Sequence, residues 1–450
     1  MISIMIGLLV LSIVVVIHEL GHFIAAKLSG VEVESFSVGW GPVLLKKKRG
    51  ATEYRLSAIP IGGYCGMKGE QAFKHAIENK EAAIPYEEKS FYSVHPFKRV
   101  IIAFAGPFAN LLLTVVALAF TSALGSTYYT ADNRIAPAYL FDDTDNSPAK
   151  EAQLQLGDRI VQINEEPMNT FADIQRYVTV RPDETLTLTL ERNGERIIEH
   201  IRPTLNKKTG TGQIGIYYYI PLDVAAVKKD SAAALAGIQP EDHIAAVNGQ
   251  PIEHLIALHY FFQDYTEKTV IFQVIRNSTP LQITIPLVRT EHHTVDLGID
   301  WKILTVTEAG AGFVQSIYKG IARTGNLIYL TLKSFTLLFK GIPLTEAVAG
   351  PVRISAMIGS IAKTSFQENI KEGFSNLAEF VAVICVSLFL MNLLPIPVLD
   401  GGLIFFACIE WLSRKKIPPR VLYYVQFIGI AFIALLFMIA LWTDVLFILR

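Results

Sequence analysis

MISIMIGLLVLSIVVVI, residues 1–17, carries no charge, and His18-Glu19-Leu20-Gly21-His22 follows it directly. An apolar run of this kind, continued to Leu28, predicts a membrane-spanning helix. Two histidines four residues apart lie on one face of a helix. The His-Glu-x-x-His pattern therefore predicts that His18 and His22 bind one zinc ion and that Glu19 takes a proton from its water. The alternative is a satisfied polar cluster, but ionisable groups beside hydrocarbon are costly and usually functional.

The composition predicts membrane spans joined to folded domains outside the bilayer. Hydrophobic residues make up 51% of the 450 residues and mean hydropathy is +0.37, yet charged residues still contribute 18%. A formal net charge of −1 gives no reason to expect a nucleic-acid partner. The three cysteines are too few and scattered for a disulfide framework. Because the first apolar run lacks a basic flank and a small-residue cleavage site, we expect it to be retained as a span.

Apolar stretches predict four membrane spans, at residues 1–28, 97–124, 377–400 and 421–449. A further stretch within residues 308–345 carries Lys319, Arg323 and Lys333, so we predict an amphipathic helix on the membrane surface, with a fifth span as the alternative. Basic clusters in residues 46–55 and 414–420 predict that both connections are cytoplasmic. Both termini and the long segment between spans two and three then lie on the outer side.

The third predicted span leads into Asn392-Leu-Leu-Pro-Ile-Pro-Val-Leu-Asp400-Gly401-Gly402. Spans one and three both run inward in this orientation, so Asp400 reaches the depth of the two histidines. A catalytic zinc ion needs three protein ligands and an open position, which makes Asp400 the predicted third ligand. The two prolines break the helix, and the freed backbone must line a polar cavity. The alternative for Asp400 alone is an ordinary Asp-Gly-Gly turn.

With these motifs the chain resembles the site-2 proteases, which are zinc metalloproteases that cut within membrane helices. The similar stretches are residues 18–27, 38–42, 61–64, 105–110 and 392–402, and the likeness is strongest to the bacterial regulator-of-sigma-E group. The resemblance implies that His18, His22 and Asp400 bind Zn²⁺ and that Glu19 is the base. It also implies a bacterial inner-membrane location, a role in stress response, and a single-span substrate such as an anti-sigma factor or a remnant signal peptide, cut after a first outer-side cleavage.

Residues 29–96 predict a small β-sheet that dips into the membrane, followed by a surface helix. A protease must unwind a helical substrate, and an open sheet edge can hold the unwound segment by strand addition. We predict this edge near residues 31–37 or 59–64, with Gly62 and Gly63 as candidate positioning residues. The alternative role is a cap over the helices. Asn392 and Asn110 are further candidates for substrate positioning, or else polar residues in helix packing.

Residues 147–164 and 231–248 form an internal repeat of an Ala-rich helix, a turn and a strand ending in Asn. Two α+β domains follow, at residues 128–207 and 215–290. They resemble PDZ domains, which bind peptide ends by adding a strand. A steric filter that rejects substrates with bulky outer domains is the other role considered.

The predicted fold class is thus a membrane α-helical protein with four transmembrane helices, a membrane-associated β-sheet and two PDZ-like domains. Two other functions compete with proteolysis. A membrane-anchored PDZ scaffold with an inactive metal site is disfavoured by the complete His18, Glu19, His22 and Asp400 set. A metal transporter is disfavoured by Glu19 beside His18 and by a single site at one depth.

Overall fold

The computed structural model describes residues 2–142, 147–207, 209–287, 295–338 and 350–449. The chain forms two compact units. The helical unit comprises Met1–Ser126 and Glu308–Arg450, and the repeat unit comprises Thr127–Thr307.

Within the described residues, four helices of the helical unit are long and apolar enough to cross a membrane. Spans one to four are Ile2–Leu28, Pro96–Leu124, Ile370–Asn392 and Pro419–Leu449. The other helices of this unit are Glu70–Glu78, Phe313–Leu338, Pro351–Glu368 and Asp400–Ser413. Span two begins where the His95 ring accepts the N–H of Phe97, and Pro96 stands at the first helical position, where a missing N–H leaves nothing unpaired.

Span three differs from the predicted 377–400 at both ends. It begins seven residues earlier because the Asn369 side chain caps it by accepting the N–H of Lys371, at 2.9 Å. It ends at Asn392, since a residue that precedes proline is driven out of the helical region and Pro395 follows shortly. Asp400 therefore does not end this span. It begins the separate helix Asp400–Ser413, which the sequence reasoning missed.

The predicted surface helix at residues 308–345 is Phe313–Leu338, and residues 339–345 lie outside the described residues. One face of this helix packs against spans two and three. Arg323 donates to Thr121 Oγ1 at 2.9 Å and pairs with Glu379 Oε1 at 2.6 Å. The helix therefore does not lie alone on the membrane surface.

The helix Pro351–Glu368 was not predicted. Asp444 of span four caps its first turn by accepting the N–H groups of Val352 and Arg353 at 2.9 and 3.0 Å. The backbone of Ser355 in this helix lies directly against Gly7 of span one. The helix thus connects two spans that are far apart in sequence.

The strands Val33–Arg49 and Thr52–Met67 each bend back, so that they pair as four segments, here called the hairpin sheet. Their order is residues 63–67, 33–38, 53–57 and 43–49. The segment 35–38 runs parallel to the segment 53–56, whereas the other two pairings are antiparallel. Gly39 and Gly41, both with φ +85°, allow the bend between the two segments of the first strand.

This order corrects one prediction. Residues 31–37 cannot offer an open edge, because that segment is paired on both sides. The two edges are residues 63–67, here called the cavity strand, and residues 43–49, here called the outer strand.

The repeat unit contains two modules, module 1 (residues 127–218) and module 2 (residues 219–307). The sheet of module 1 has the order Glu166–Pro167, Arg159–Ile163, Leu186–Arg192, Glu195–Ile201, and that of module 2 has the order Gln250–Pro251, His243–Val247, Thr269–Arg276, Thr279–Pro286. Their helices are Pro148–Glu151 and Phe171–Thr179, then Ala232–Ala236 and Leu255–Gln263. Shorter elements are Ser126–Thr130, Ile135–Pro137, Ala138–Leu140 (a 3₁₀ turn), Thr204–Asn206, Thr211–Gln213, Ile216–Tyr218, Val224–Val227, Ile299–Trp301 and Leu304–Glu308.

The same contacts hold both modules together. Arg192 pairs with buried Asp158 at 2.7 Å, and the pair recurs 84 positions later as Arg276 with Asp242, also at 2.7 Å.

The predicted ends of the domains, at 207 and 290, are too early. The strand Ile216–Tyr218 closes module 1 and Ile299–Trp301 closes module 2, by pairing with Ile135–Pro137 and Val224–Val227 respectively. These closing strands lie far from the repeated motif in sequence, so the motif does not reveal them.

Candidate metal centre

The His18 and His22 rings project from span one toward span two, and both residues are buried. Close packing of the two spans depends on Gly21. A Cβ at Gly21 would lie 2.8 Å from the carbonyl carbon of Ala105 and 2.9 Å from Cβ of Ala109. Small residues at such a contact let two membrane helices approach each other closely. The glycine within the His-Glu-Leu-Gly-His motif thus brings both rings onto the surface of span two.

Three ligand atoms converge in this part of the chain. His18 Nε2 lies 3.1 Å from Asp400 Oδ2, His22 Nε2 lies 3.3 Å from Asp400 Oδ1, and the two Nε2 atoms are 3.2 Å apart. Ligand atoms that bind a tetrahedral zinc ion at about 2.0 Å lie about 3.3 Å from one another. The donor set and its spacing therefore fit zinc. Among the described residues, these three are the ones that form such a cluster.

Gly106 of span two leaves the space that the centre needs. A Cβ at this position would lie 2.8 Å from His18 Nε2 and closer still to His22 Nε2. Any side chain there would occupy the volume between the two nitrogen atoms. Gly106 belongs to the stretch 105–110 that resembles the site-2 proteases, and no local pattern indicates this role.

The other ring nitrogens are held by span two. His22 Nδ1 donates to the Ile102 carbonyl at 2.8 Å, which leaves Nε2 with its lone pair toward the centre. His18 Nδ1 lies 3.2 Å from the side-chain amide of Asn110, which is fully buried. Asn110 Oδ1 has no partner within the described part of the chain, and turning the amide over lets it accept the His18 Nδ1 proton. Asn110 also lines the cavity that holds these side chains, so its predicted role in positioning substrate stays a prediction beside this contact with the His18 ring.

Asp400 is held rigidly at the start of its helix. Gly401 and Gly402 are buried against the preceding turn, where a Cβ at Gly402 would lie 2.9 Å from Cα of Pro397. Val398 has φ +88°, a strained conformation for a β-branched residue, of the kind that occurs at functional sites. At the other end of the helix, Glu410 forms a buried ion pair with Arg99 of span two. The Asp-Gly-Gly sequence is therefore the first turn of a fixed helix and not an ordinary turn.

Glu19 lies in the same cavity, whose volume is about 380 Å³, together with Asn392, Cys65 and Met67. Its carboxylate faces the backbone N–H of Cys65 in the cavity strand. Burial raises the pKa of the Cys65 thiol to about 12. The hairpin sheet therefore borders the candidate metal centre through its cavity strand, which overlaps the edge predicted near residues 59–64.

Gly62 and Gly63, predicted to position substrate, do not line this cavity. They allow the sheet to pack closely. Gly62 has φ +77°, and a Cβ there would lie 3.2 Å from the Trp40 indole nitrogen. A Cβ at Gly63 would lie 2.5 Å from the Ser37 carbonyl oxygen and 3.6 Å from the Val16 side chain.

The sequence profile described as Peptidase family M50 matches residues 6–436, which is nearly the whole chain. The chain belongs to this family. Peptidase family M50 is the site-2 protease family, so the resemblance stated from the motifs is confirmed.

Relatives of this M50 chain cover it end to end. A protein of Treponema pallidum is 51% identical over 447 residues, which is 99% of both chains. Proteins of Borreliella burgdorferi and Neisseria meningitidis are each 29% identical and cover 98% and 96% of both chains respectively. All three carry the name "Putative zinc metalloprotease". This M50 chain is accordingly a zinc metalloprotease of the site-2 protease family.

Two solved structures are similar to short parts of the chain. One is the PDZ domain of an SdrC-like protein from Listeria monocytogenes, 21% identical, with TM-score 0.17, covering 19% of this chain and 90% of that one. The other is a Geobacillus thermodenitrificans protein, 24% identical, with TM-score 0.16, covering 18% and 95%. The family assignment rests on the sequence comparisons alone.

Proposed function

We propose that this M50 protease cleaves single-span membrane proteins within their membrane segment, with His18, His22 and Asp400 as zinc ligands and Glu19 as general base. One observation carries the proposal. The Nε2 atoms of His18 and His22 in span one and the carboxylate oxygens of Asp400 in a second helix lie 3.1–3.3 Å apart. Glu19 lines the same cavity.

When bound, zinc would polarise the scissile carbonyl and make a water molecule acidic enough to lose a proton near neutral pH. Glu19 accepts that proton and returns it to the leaving amine. The N–H of Cys65 faces the Glu19 carboxylate, next to the proposed zinc ligands. Asn392, the last residue of span three, lines the cavity, and we propose that its side-chain N–H donates to a substrate carbonyl.

The substrate must be extended before its peptide bonds can be reached, because a helix hides them in internal hydrogen bonds. The cavity strand offers an open edge where an extended segment can pair with backbone groups. Its residues Cys65 and Met67 line the cavity that holds the ligand set. A segment added to this edge therefore lies next to Glu19.

The loop charges support an orientation with the basic connections in the cytoplasm and the repeat unit outside, in a bacterial inner membrane. Substrates would then be anti-sigma factors or remnant signal peptides, cut in regulated intramembrane proteolysis after a first outer-side cleavage. We take the two modules to be PDZ-like. In module 1 a cavity of about 760 Å³ lies between the helix Phe171–Thr179 and residues 212–218, and module 2 has one of about 230 Å³ at the equivalent place. A steric filter is the favoured role, with peptide capture in these grooves as the second.

Co-expression with candidate one-span anti-sigma factors tests the proposal. We expect Glu19→Gln to abolish cleavage while zinc content stays at the wild-type value, because the ligands are intact. His22→Ala should lose both. Glu34→Gln, an exposed residue of the hairpin sheet, is the matched control and should leave both unchanged. Cleavage by the Glu19→Gln variant would contradict the proposal, and a wild-type protein that binds zinc but cuts none of the substrates would favour the scaffold alternative.

A further inference from the structure

The outer strand is the edge of the hairpin sheet that faces away from the metal centre. Its sequence, Val43-Leu-Leu-Lys-Lys-Lys-Arg49, changes from three apolar residues to four basic ones. Every residue from 41 to 50 is exposed, with Leu44 and Leu45 at 62% and 67%. A folded protein rarely leaves such an apolar and basic strand uncovered unless something binds it.

Contacts with span one show how deep each part of the sheet lies. Gly63 packs at the level of Val16, whereas the ring of Tyr54 lies 6.0 Å from that of Phe23. These two levels are about 10 Å apart along the helix axis, at 1.5 Å per residue. Lys47 pairs with Tyr54, so the basic residues stand near the Phe23 level, close to the Lys27 end of the span. Val43 pairs with Ser57 and lies further toward the level of Val16.

Glu53 is a nearby carboxylate of the sheet. Its hydrogen bond with Arg55 lowers its pKa most, and the charges of Lys46 and Lys48 lower it further. Glu53, the carboxylate opposite Lys48, is engaged by Arg55 at 2.7 Å. Arg55 also donates to Tyr64 at 2.8 Å. Across the part of the chain that the structure describes, Lys46, Lys47, Lys48 and Arg49 show no ion pair.

We propose that the outer strand binds anionic phospholipid headgroups in the leaflet at the Lys27 end of span one. The four basic side chains take the phosphates, and Leu44 and Leu45 enter the acyl chains beneath them. Basic residues next to an apolar segment at the membrane surface recognise anionic lipids in this way. The competing partner for these basic residues is an acidic segment of the substrate. A substrate paired with the cavity strand would lie at the opposite edge of the sheet, about three strand spacings or ~14 Å away. The geometry therefore favours the lipid.

Tryptophan quenching in lipid nanodiscs tests the proposal on the full-length protein. Leu44 lies in the outer strand and is exposed, so a Leu44→Trp variant with Trp40, Trp301, Trp411 and Trp442 changed to Phe reports on the neighbourhood of this strand. Brominated phosphatidylglycerol and brominated phosphatidylcholine are compared at equal mole fraction in the same mixture. We expect at least twofold stronger quenching by the anionic lipid, and we expect high salt to reduce the difference.

The variant Lys46→Gln/Lys47→Gln/Lys48→Gln should abolish the preference. The matched control removes another basic cluster, with Arg414, Lys415 and Lys416 changed to Gln, and should keep it. Equal quenching by the two lipids when all four basic residues are present, or a preference that survives the three glutamines, would overturn the proposal. If the tryptophan replacements lower zinc content, native mass spectrometry of the full-length wild-type and triple-glutamine proteins gives the same comparison as phosphatidylglycerol molecules retained per chain.

Discussion

At the scale of single residues, the metal centre depends on what span two presents to the two histidines. Gly106 leaves the space for an ion, the Ile102 carbonyl holds His22, and the Asn110 amide contacts His18. In the proposed centre, each of these residues acts through His18 or His22. The consequence is that zinc affinity should respond to changes in span two, which contributes no ligand.

Replacing Gly106 with Ala should strongly reduce zinc content and cleavage, because the added methyl group occupies the space between the Nε2 atoms. Zinc per chain, measured by mass spectrometry of the purified protein, checks this. Gly325→Ala is the control, since a Cβ there meets no atom within 4 Å. A Gly106→Ala protein with full zinc occupancy would show that the ion lies elsewhere.

Replacing Asn110 with Leu should weaken zinc binding about 10- to 100-fold, the usual effect of removing a partner that orients a ligating histidine. Asn110→Asp keeps an acceptor for His18 Nδ1–H and should retain most of the affinity. Competition with a chelator of known affinity measures both. Thr114→Val, which removes a buried hydroxyl of the same helix bonded to backbone, is the control. Equal affinities for Asn110→Leu and wild type would leave Asn110 with a packing role.

At the scale of elements, the hairpin sheet separates two functions between its two edges. The cavity strand borders the metal centre, and the outer strand is the proposed lipid contact. The order of the four segments makes this possible, since residues 33–38 lie in the interior of the sheet and shield each edge from the other.

Replacing Met67 with Pro should lower cleavage at least tenfold while zinc content is kept, because proline cannot donate to an added strand. Met67→Leu keeps the backbone N–H and should stay active, which separates the backbone effect from the side chain. Leu44→Pro makes the same change on the outer strand and should leave turnover within about twofold. Full activity of Met67→Pro would mean that substrate does not pair with this edge.

The sequence was sufficient for the features that depend on local pattern. Four apolar runs, the helical spacing of His18 and His22, and the prolines before Asp400 all follow from periodicity and composition. Features built from distant partners were not predictable. The helix Pro351–Glu368 is capped by Asp444 of span four, and the order of the hairpin sheet depends on a pairing between residues 35–38 and 53–56. The contact of Asn110 with His18 joins two spans and has no local signal either.

At the scale of the whole molecule, the repeat unit is a separate compact body inserted into the helical unit. The chain leaves the helical unit just after Gly125 and re-enters it just before Gly310. These two glycines are adjacent, since a Cβ at Gly125 would lie 2.6 Å from the backbone nitrogen of Gly310. The helical unit therefore contains the complete ligand set without it.

Removing residues 127–307 and joining the ends should leave zinc content unchanged and allow cleavage of substrates that still carry their outer domain. The comparison is between cut and uncut substrate, with wild type and the shortened protein in parallel. Continued rejection of the uncut substrate by an active shortened protein would rule out the steric filter, and loss of activity on the cut substrate alone would favour peptide capture.

We propose above all that His18, His22 and Asp400 bind one zinc ion in this M50 protease. X-ray absorption at the zinc edge of the purified wild-type protein measures the atoms around that ion. We expect nitrogen and oxygen atoms at about 2.0 Å, with the outer-shell signal of two imidazole rings that falls to one in His18→Ala. Sulfur at about 2.3 Å, as from Cys65, or an imidazole signal unchanged in His18→Ala, would contradict it.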